Sequence, residues 1–210
     1  MNAIMENMQS KYPELAGCAH DVLRAFEIIK SAFYKGNKLL ICGNGGSASD
    51  SEHIVGELMK GFRMTRPVPL AFRRKLIEVD PEQGDYMADH LQGALPAISL
   101  VSQQGLISAF SNDVEPSMVY AQQVYGYGKP GDVLLGLSTS GNSVNVIRAV
   151  QVAKAAGMSS VVMTGKSGGV LKTISDVTIA VPWEETSDVQ ERHLPVYHAL
   201  CLMLEEAFFA

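Results

Sequence analysis

The sequence has few cysteines and no long apolar run. Its three cysteines, Cys18, Cys42 and Cys201, are far apart and lack CxxC spacing, which excludes a disulfide framework and a zinc-finger pattern. No stretch approaches the ~18 apolar residues of a membrane helix, and residues 1–15 are polar where a signal peptide would be apolar. We therefore expect a cytoplasmic protein that does not enter a membrane.

An excess of positive charge is also missing. Lysine and arginine number 17 against 22 aspartates and glutamates, which gives a net charge of −5. No general positive field would draw the chain to nucleic acid or to an anionic membrane, and we expect neither as a partner. An anionic ligand must instead be held by local hydrogen bonds.

Apolar residues, by contrast, are plentiful: 47% of the chain is hydrophobic and 19% is charged, enough for a buried core. Short apolar runs alternate with helical patterns along the chain. This alternation predicts a doubly wound α/β fold, a parallel sheet covered by helices on both faces. The predicted strands are 38–42, 97–102, 132–137, 161–163 and 177–181.

Helical patterns are also predicted at both ends of the chain. Residues 8–33 carry large or apolar residues at a 4-3-4-3 spacing, typical of a helical seam that packs on the core or on a sister subunit. Residues 187–209 form a long amphipathic pattern in which Ser187 and Gln190 have the form of a capping box. Pro195 lies inside this pattern and should kink the helix or displace its start.

One segment, 73–94, interrupts the alternation of strands and helices. It begins with Arg73-Arg74-Lys75 and continues with five acidic residues, with Pro81 and Gly84 between them. We expect an inserted surface loop, or a loop with a short helix, that is either a functional lid or a mobile surface segment without a role in the site. The whole chain, 1–210, is predicted to be a single domain whose first 36 residues are a helical segment.

A glycine-rich loop, Gly43-Asn44-Gly45-Gly46-Ser47, follows the first predicted strand and opens a helix. It is either a tight turn or a site where backbone N–H groups bind an anion or a sugar hydroxyl. The loop also fits the loose dinucleotide fingerprint, but residues 64–70 lack the acidic residue that would bind the ribose. A nicotinamide enzyme is therefore not favoured.

A second polar loop follows the strand at 132–137. Its sequence, Ser138-Thr139-Ser140-Gly141-Asn142-Ser143, contains four hydroxyl groups and no lysine or arginine. One hydroxyl would suffice to cap the next helix, so the loop is either a polar turn or a phosphate cradle that works by hydrogen bonds.

Two groups of polar residues on helices are candidates for chemistry. His53 and Glu57 are four residues apart and share a helical face, as in a surface hydrogen bond, a metal site or an acid/base pair. His193 and His198 lie with Gln190 on the last helix, where a single histidine would be an ordinary core residue. Spacing alone does not choose among these interpretations.

These motifs together resemble the phosphoheptose isomerase branch of the SIS sugar isomerase family. The matching segments are CGNGGSASDSEH, DVLLGLSTSGNS, MTGKSGG and QERH with His198, and the likeness covers roughly 39–67 and 95–205. The resemblance implies an SIS fold and a homotetramer with active sites at subunit interfaces, the terminal helices taking part in oligomer packing. It also implies isomerisation of sedoheptulose 7-phosphate to D-glycero-D-manno-heptose 7-phosphate through a cis-enediol.

The resemblance also assigns site residues. It implies that Glu57 and His198 are the acid/base pair and that zinc, as cofactor, is bound by His53, Glu57, Gln190 and His198. Glu57 would then have two competing roles, as ligand and as base. The implied substrate contacts are Asn44, Gly45, Gly46, Asn112, Asp113, Ser138, Thr139, Ser140, Ser143 and Gln190.

Two features of the sequence depart from the family pattern, and a third observation, the spacing of Gln190 and His198, conflicts with the zinc assignment. Gly61 stands where the family often has an arginine, so Lys60 or Arg63 would have to replace a contact to the sugar phosphate, and the insertion could reshape the pocket for another sugar phosphate. Gln190 and His198 are separated by roughly 12 Å along a helix axis, so they reach one metal only if the side chains lean together, the helix kinks, or two subunits contribute.

Two non-catalytic alternatives belong to other functional classes. One is an SIS protein that binds a protein partner, like the replication-initiator-associating relatives, and the other is a sugar-phosphate sensor. The retention of both Glu57 and His198 favours the enzyme.

Overall fold

The fold is built on a parallel sheet. A computed structural model describes residues 2–210, so Met1, part of the predicted N-terminal segment, lies outside the described residues. Within them, five parallel strands are arranged in the order β2-β1-β3-β4-β5. Their bounds are β1 Leu39–Gly43, β2 Ala97–Ser99, β3 Val133–Leu137, β4 Ser159–Thr164 and β5 Val177–Ala180.

Helices cover both faces of this sheet. They are α1 (Asn2–Lys11), α2 (Ala19–Tyr34), α3 (Gly46–Met59), α4 (Leu70–Val79), α5 (Gly84–His90), α6 (Gln104–Asp113), α7 (Val119–Tyr127), α8 (Val144–Ala155), α9 (Leu171–Ile174) and α10 (Thr186–Phe209), with 3-10 turns at Pro13–Cys18 and Pro116–Met118.

Alternation along the strands explains the two layers of core. Leu39 and Ile41 of β1 pack with residues of α1, α2, α3 and α10, whereas Leu40 and Cys42 pack with residues of α7 and α8. Because successive side chains of a strand point to opposite faces, an apolar run without polar interruptions is a strand buried on both sides. The predicted doubly wound α/β fold is confirmed.

The N-terminal seam is not one helix. The chain leaves α1 after Lys11, and Pro13 begins a 3-10 turn before α2 starts at Ala19. Proline cannot donate a backbone hydrogen bond and clashes with the preceding turn, which explains the break. Met8 and Phe26 of the seam are nevertheless buried in the core beside residues of α10.

The C-terminal helix runs from Thr186 to Phe209 without a break at Pro195. The expected capping box is not formed, because the helix begins after Glu185 and no side chain caps it. Pro195 is buried inside the helix, so tertiary packing overrides its cost to the helix. No helix within residues 2–210 has the length and apolarity needed to cross a membrane.

The inserted segment forms two helices, α4 and α5, rather than a loop with at most one short helix. Arg73 of α4 pairs with Asp85 and Asp89 of α5, and these opposite charges join the two helices. A bridge between Pro67 and Gln92 closes the base of this pair, which we call the α4–α5 hairpin. No residue of α4 is buried, so the hairpin projects from the body of the fold.

Candidate active site

The first glycine loop joins β1 to the start of α3. Gly46 lies against α10: a Cβ at this position would be 2.7 Å from Nε2 of Gln190, so a side chain here would displace the Gln190 amide. Gln190, a predicted substrate and zinc residue, therefore contacts this loop directly. The N-terminus of α3 and the Gln190 amide together present hydrogen-bond donors at the carboxyl end of the sheet.

The hydroxyl loop, residues 138–143, follows β3 and opens α8. The Ser138 and Ser143 hydroxyl oxygens are 2.9 Å apart, and Ser140 Oγ accepts a bond of 3.1 Å from the Asn142 N–H. Gly141 has a positive φ of 68°, and a Cβ there would be 2.1 Å from the carbonyl oxygen of Gly168. The loop is thus a fixed turn with the exposed Ser140 at its surface, a geometry suited to an anion.

The glycine loop contacts the first turn of α8, directly after the hydroxyl loop, through a reciprocal amide pair. Asn44 Nδ2 donates to Asn145 Oδ1 over 2.9 Å, and Asn145 Nδ2 donates to Asn44 Oδ1 over 2.8 Å. Tyr120 adds a third bond, because its hydroxyl donates to the Gly43 carbonyl at 2.5 Å. The structure therefore brings both predicted ligand loops together, as expected for neighbouring parallel strands.

Asn112 and Asp113, also predicted to contact substrate, lie at the exposed end of α6. Asn112 Nδ2 donates to Asp113 Oδ1 over 2.8 Å. Among the contacts of residues 2–210 that involve their side chains, none joins this pair to either loop.

The predicted acid/base residues form a cluster further along α3. His53 Nε2 is 3.2 Å from Glu57 Oε1, and the His53 and His198 rings are 5.1 Å apart between centroids. Glu57 Oε2 and His198 Nε2 are buried without a hydrogen-bond partner, although Lys60 Nζ is 3.5 Å from Glu57 Oε2. A carboxylate and an imidazole thus have lone pairs free for chemistry.

The environment of His198 favours its neutral form. Burial lowers the pKa of His198, the neighbouring His53 lowers it further, and the charge of Glu57 opposes both effects. A neutral imidazole can accept a proton on one nitrogen and donate one from the other.

Sequence reasoning missed Tyr197 and Asp50, which support this cluster. The Tyr197 hydroxyl donates to Asp50 Oδ1 over 3.1 Å and is 3.1 Å from Nδ1 of His53. Burial and the charge of Asp50 raise the pKa of Tyr197, so its hydroxyl keeps its proton. The only signal in the sequence is proximity: Asp50 precedes His53 by one helical turn, and Tyr197 precedes His198 directly.

The four predicted zinc ligands are not brought together in one chain. His53, Glu57 and His198 are neighbours, but Gln190 lies against Gly46 at the other end of α3. Across residues 2–210, no three or more histidine, cysteine, aspartate or glutamate side chains are arranged to hold a metal ion. The donor set of a single chain therefore does not fit zinc as a preformed site.

A cavity of about 270 Å³ lies beside the acid/base cluster, between α1 and α10. His198 forms part of its wall together with Asn7, Lys11 and Arg63. No residue of the glycine loop or the hydroxyl loop lines it. The cavity thus adds two cationic side chains to the surroundings of His198 without including the loops.

Comparison with known proteins identifies the family. The SIS domain profile matches residues 81–165. The chain is 40% identical over 183 residues to a phosphoheptose isomerase of Crocosphaera subtropica, covering 87% of this chain and 80% of that protein. It is 33% identical over 198 residues to the phosphoheptose isomerase of Akkermansia muciniphila, covering 94% and 91%.

A solved structure agrees with these sequence matches. The structure of a phosphoheptose isomerase from Francisella tularensis superimposes with a TM-score of 0.77 at 28% identity, covering 98% of this chain and 96% of that chain. The chain therefore belongs to the phosphoheptose isomerase family of SIS-domain enzymes.

Proposed function

We propose that this protein is an aldose–ketose isomerase that converts sedoheptulose 7-phosphate into D-glycero-D-manno-heptose 7-phosphate. Family membership supports the reaction class. The observation that carries the proposal is that the buried atoms Glu57 Oε2 and His198 Nε2 lie in one cluster and that neither makes a hydrogen bond. Burying such atoms without partners costs stability, so a role in binding or chemistry explains them.

Isomerisation moves one proton from carbon 1 of the ketose to carbon 2 through a cis-enediol. The Glu57 carboxylate takes the proton from carbon 1 and returns it to carbon 2. Neutral His198 transfers a proton between the two oxygens, which exchange their roles as carbonyl and hydroxyl. Lys60 Nζ lies 3.5 Å from Glu57 Oε2, so a positive charge stands beside the carboxylate during both transfers.

The two loops hold the remainder of the substrate. The hydroxyl loop binds the phosphate through Ser138, Thr139, Ser140 and Ser143, and the N-terminus of α8 adds a favourable dipole. Asn44 and Gln190 donate hydrogen bonds to the sugar hydroxyls and accept hydrogen bonds from them. Asn112 and Asp113 are expected to contact the substrate from α6.

A homotetramer with sites at subunit interfaces is the second part of the proposal. Gly46 and Glu57 are 11 residues apart on α3, roughly 16 Å along the helix axis. A second subunit that brings its hydroxyl loop to the acid/base cluster would shorten the distance between the bound phosphate and Glu57. Met59, two residues after Glu57, and Leu194, one helical turn before His198, are exposed apolar side chains suited to a subunit contact.

Intersubunit complementation tests this arrangement. Glu57→Gln removes the base, and Ser140→Glu repels the phosphate from the loop. If sites form between subunits, oligomers assembled from both inactive variants regain activity in a fraction of their sites. Mixed oligomers without activity, or a monomer by light scattering, would contradict the proposal.

Zinc remains a prediction: His53, Glu57 and His198 of one chain would supply ligands to it, although these residues do not form a preformed site. Gln190 would have to join from another rotamer or another subunit. Metal analysis of the purified protein, followed by chelation and zinc titration monitored calorimetrically, tests binding independently of turnover. A protein that binds no zinc at micromolar concentration would contradict it.

A reducing, cytoplasmic location is also proposed. All three cysteines are free and buried, and burial raises the thiol pKa of Cys18 to about 11 and of Cys42 to about 12. They are structural thiols of low reactivity.

The protein-binding and sensor alternatives are not favoured, since the curated relatives are isomerases and both catalytic candidates are present.

Incubation with sedoheptulose 7-phosphate, with detection of the aldose product, tests the reaction. Glu57→Gln should abolish turnover and leave phosphate binding within about twofold, because the loops are unchanged. Glu52→Gln is the matched control, since Glu52 lies on the same helix and accepts a bond from Ser102 on its exposed side. Turnover by the Glu57 variant would exclude Glu57 as the base.

A further inference from the structure

An amide pair joins Asn44 of the glycine loop to Asn145 in the first turn of α8, two residues after the hydroxyl loop. Asn44 and Asn145 satisfy each other with two hydrogen bonds of 2.9 and 2.8 Å. The two residues are 101 positions apart in sequence, so this contact fixes two separate chain segments relative to each other. Each side-chain amide keeps one N–H for another partner.

Additional bonds hold both ends of the pair in place. Asn145 Oδ1 also accepts from the Val146 N–H at 3.0 Å, in the first turn of α8. On the other side, the Tyr120 hydroxyl is 3.3 Å from Asn44 Oδ1 and donates to the Gly43 carbonyl. Burial raises the pKa of Tyr120 to about 12, so this hydroxyl remains a donor at neutral pH. The pair is therefore held at the end of β1 by Tyr120 of α7 and at the first turn of α8 by the Val146 N–H.

The internal shape of the hydroxyl loop depends on a different asparagine. Asn142 Nδ2 donates to the Ser140 carbonyl over 3.1 Å, and Asn142 Oδ1 accepts from the Val170 N–H over 2.9 Å. The Ser138–Ser143 hydroxyl contact of 2.9 Å also lies within the loop. Asn145 takes no part in these bonds, so the loop that binds phosphate and the link between the loops are held separately.

We propose that Asn145 is a positioning residue that sets the distance between the phosphate-binding hydroxyl loop and the sugar-binding Asn44, and thereby selects sugar phosphates by chain length. The inference rests on the proposed function, because it assumes that phosphate and sugar bind on the two loops. A fixed spacing favours substrates whose phosphate and hydroxyl groups match it, since no binding free energy is lost in ordering the loops.

The test compares Asn145→Ala with Asn142→Ala. Calorimetry gives the Kd for inorganic phosphate and for five-, six- and seven-carbon sugar phosphates, and turnover gives KM and kcat for each. For Asn145→Ala we expect phosphate affinity within about twofold of the unmodified protein, a KM for the preferred sugar phosphate raised about tenfold, and reduced discrimination by length. For Asn142→Ala we expect phosphate itself to bind about tenfold more weakly, with length discrimination retained.

Asn145→Asp provides a second measurement if the alanine variant folds poorly. It keeps the acceptor for Asn44 Nδ2 and loses the donor to Asn44 Oδ1, so its discrimination should lie between that of the alanine variant and the unmodified protein. Unchanged length discrimination in both Asn145 variants would overturn the inference. So would a loss of phosphate affinity in Asn145→Ala as large as that in Asn142→Ala. The binding measurements do not require turnover, so a failure of the proposed reaction would be seen separately.

Discussion

Arg66 and Glu205 form an ion pair in the interior of the protein, with Arg66 Nε 2.9 Å from Glu205 Oε1 and side-chain exposures of 0% and 1%. Arg66 also donates Nη1 to the Leu58 carbonyl and Nη2 to the Glu57 carbonyl. Burial raises the pKa of Glu205, but three backbone N–H groups of residues 62–64 and Arg66 outweigh this effect and lower it. The pair thus connects the last turn of α3, which carries Glu57, to α10.

Replacement of Arg66 by methionine should destabilise the fold. Removing one partner of a buried ion pair leaves the other charge uncompensated and costs about 3–5 kcal/mol. Urea denaturation followed by circular dichroism measures the free energy of unfolding. The double variant Arg66→Met/Glu205→Met should recover part of this loss, since no isolated charge remains; a single variant within 1 kcal/mol of the unmodified protein would contradict the role of the pair.

Replacement of Tyr197 by phenylalanine should reduce turnover and leave the fold intact. The substitution removes only the hydroxyl that bonds Asp50 and contacts Nδ1 of His53, so the His53 ring loses the group that orients it. We expect kcat to fall about tenfold to a hundredfold, as for misplaced groups in an active site. The control is Tyr86→Phe on the exposed α5 helix. Equal kcat values for the two variants would show that Tyr197 is an ordinary core residue.

Stability should decrease in mild acid because of His193. This residue is fully buried, its Nδ1 has no partner, and its Nε2 contacts the Thr164 carbonyl at 3.3 Å. Burial lowers the pKa of His193 to about 4 against the opposing effect of that contact. The unfolded chain, with a pKa of about 6.5, binds the proton first, so the contribution of His193 is complete above pH 6.5 and is lost as the pH falls toward 4.

The size of this effect is about 3 kcal/mol from the two pKa values. Chemical denaturation at pH 7.5 and pH 4.5 of the unmodified protein and of His193→Gln isolates it, since glutamine can donate to the Thr164 carbonyl but does not titrate. The pH-dependent loss should be smaller in the variant. If the two proteins lose equal stability, other groups control the acid response.

The sheet could be predicted from the sequence because its strands are buried on both faces and therefore read as apolar runs. The loops at 43–47 and 138–143 could be predicted because each follows such a strand directly. The supporting pairs could not: Tyr197 and Asp50 are 147 residues apart, and Arg66 and Glu205 are 139 apart. No local periodicity connects residues at these separations, so only the folded chain shows that they touch.

The zinc assignment and the insertion show two other limits. The resemblance supplies four ligands, but it does not say that Gln190 contacts Gly46 in the same chain, which depends on how α10 crosses α3. In the insertion, charged residues and a proline at position 81 suggested a loop. Its helices are joined by pairing of Arg73 with Asp85 and Asp89, a long-range effect that residue type alone does not predict.

Deletion of the α4–α5 hairpin should leave the rest of the fold stable. No residue of α4 is buried, and the bridge between Pro67 and Gln92 already brings the two ends of the hairpin together. A short glycine–serine linker in place of residues 70–90 therefore closes a small gap at little entropic cost. We expect the melting temperature, measured by calorimetry, to change by only a few degrees. Gln92, which accepts a 2.6 Å bond from the Gly61 N–H, is kept in this variant, so a large drop would mean that α4 and α5 themselves support the segment after Glu57.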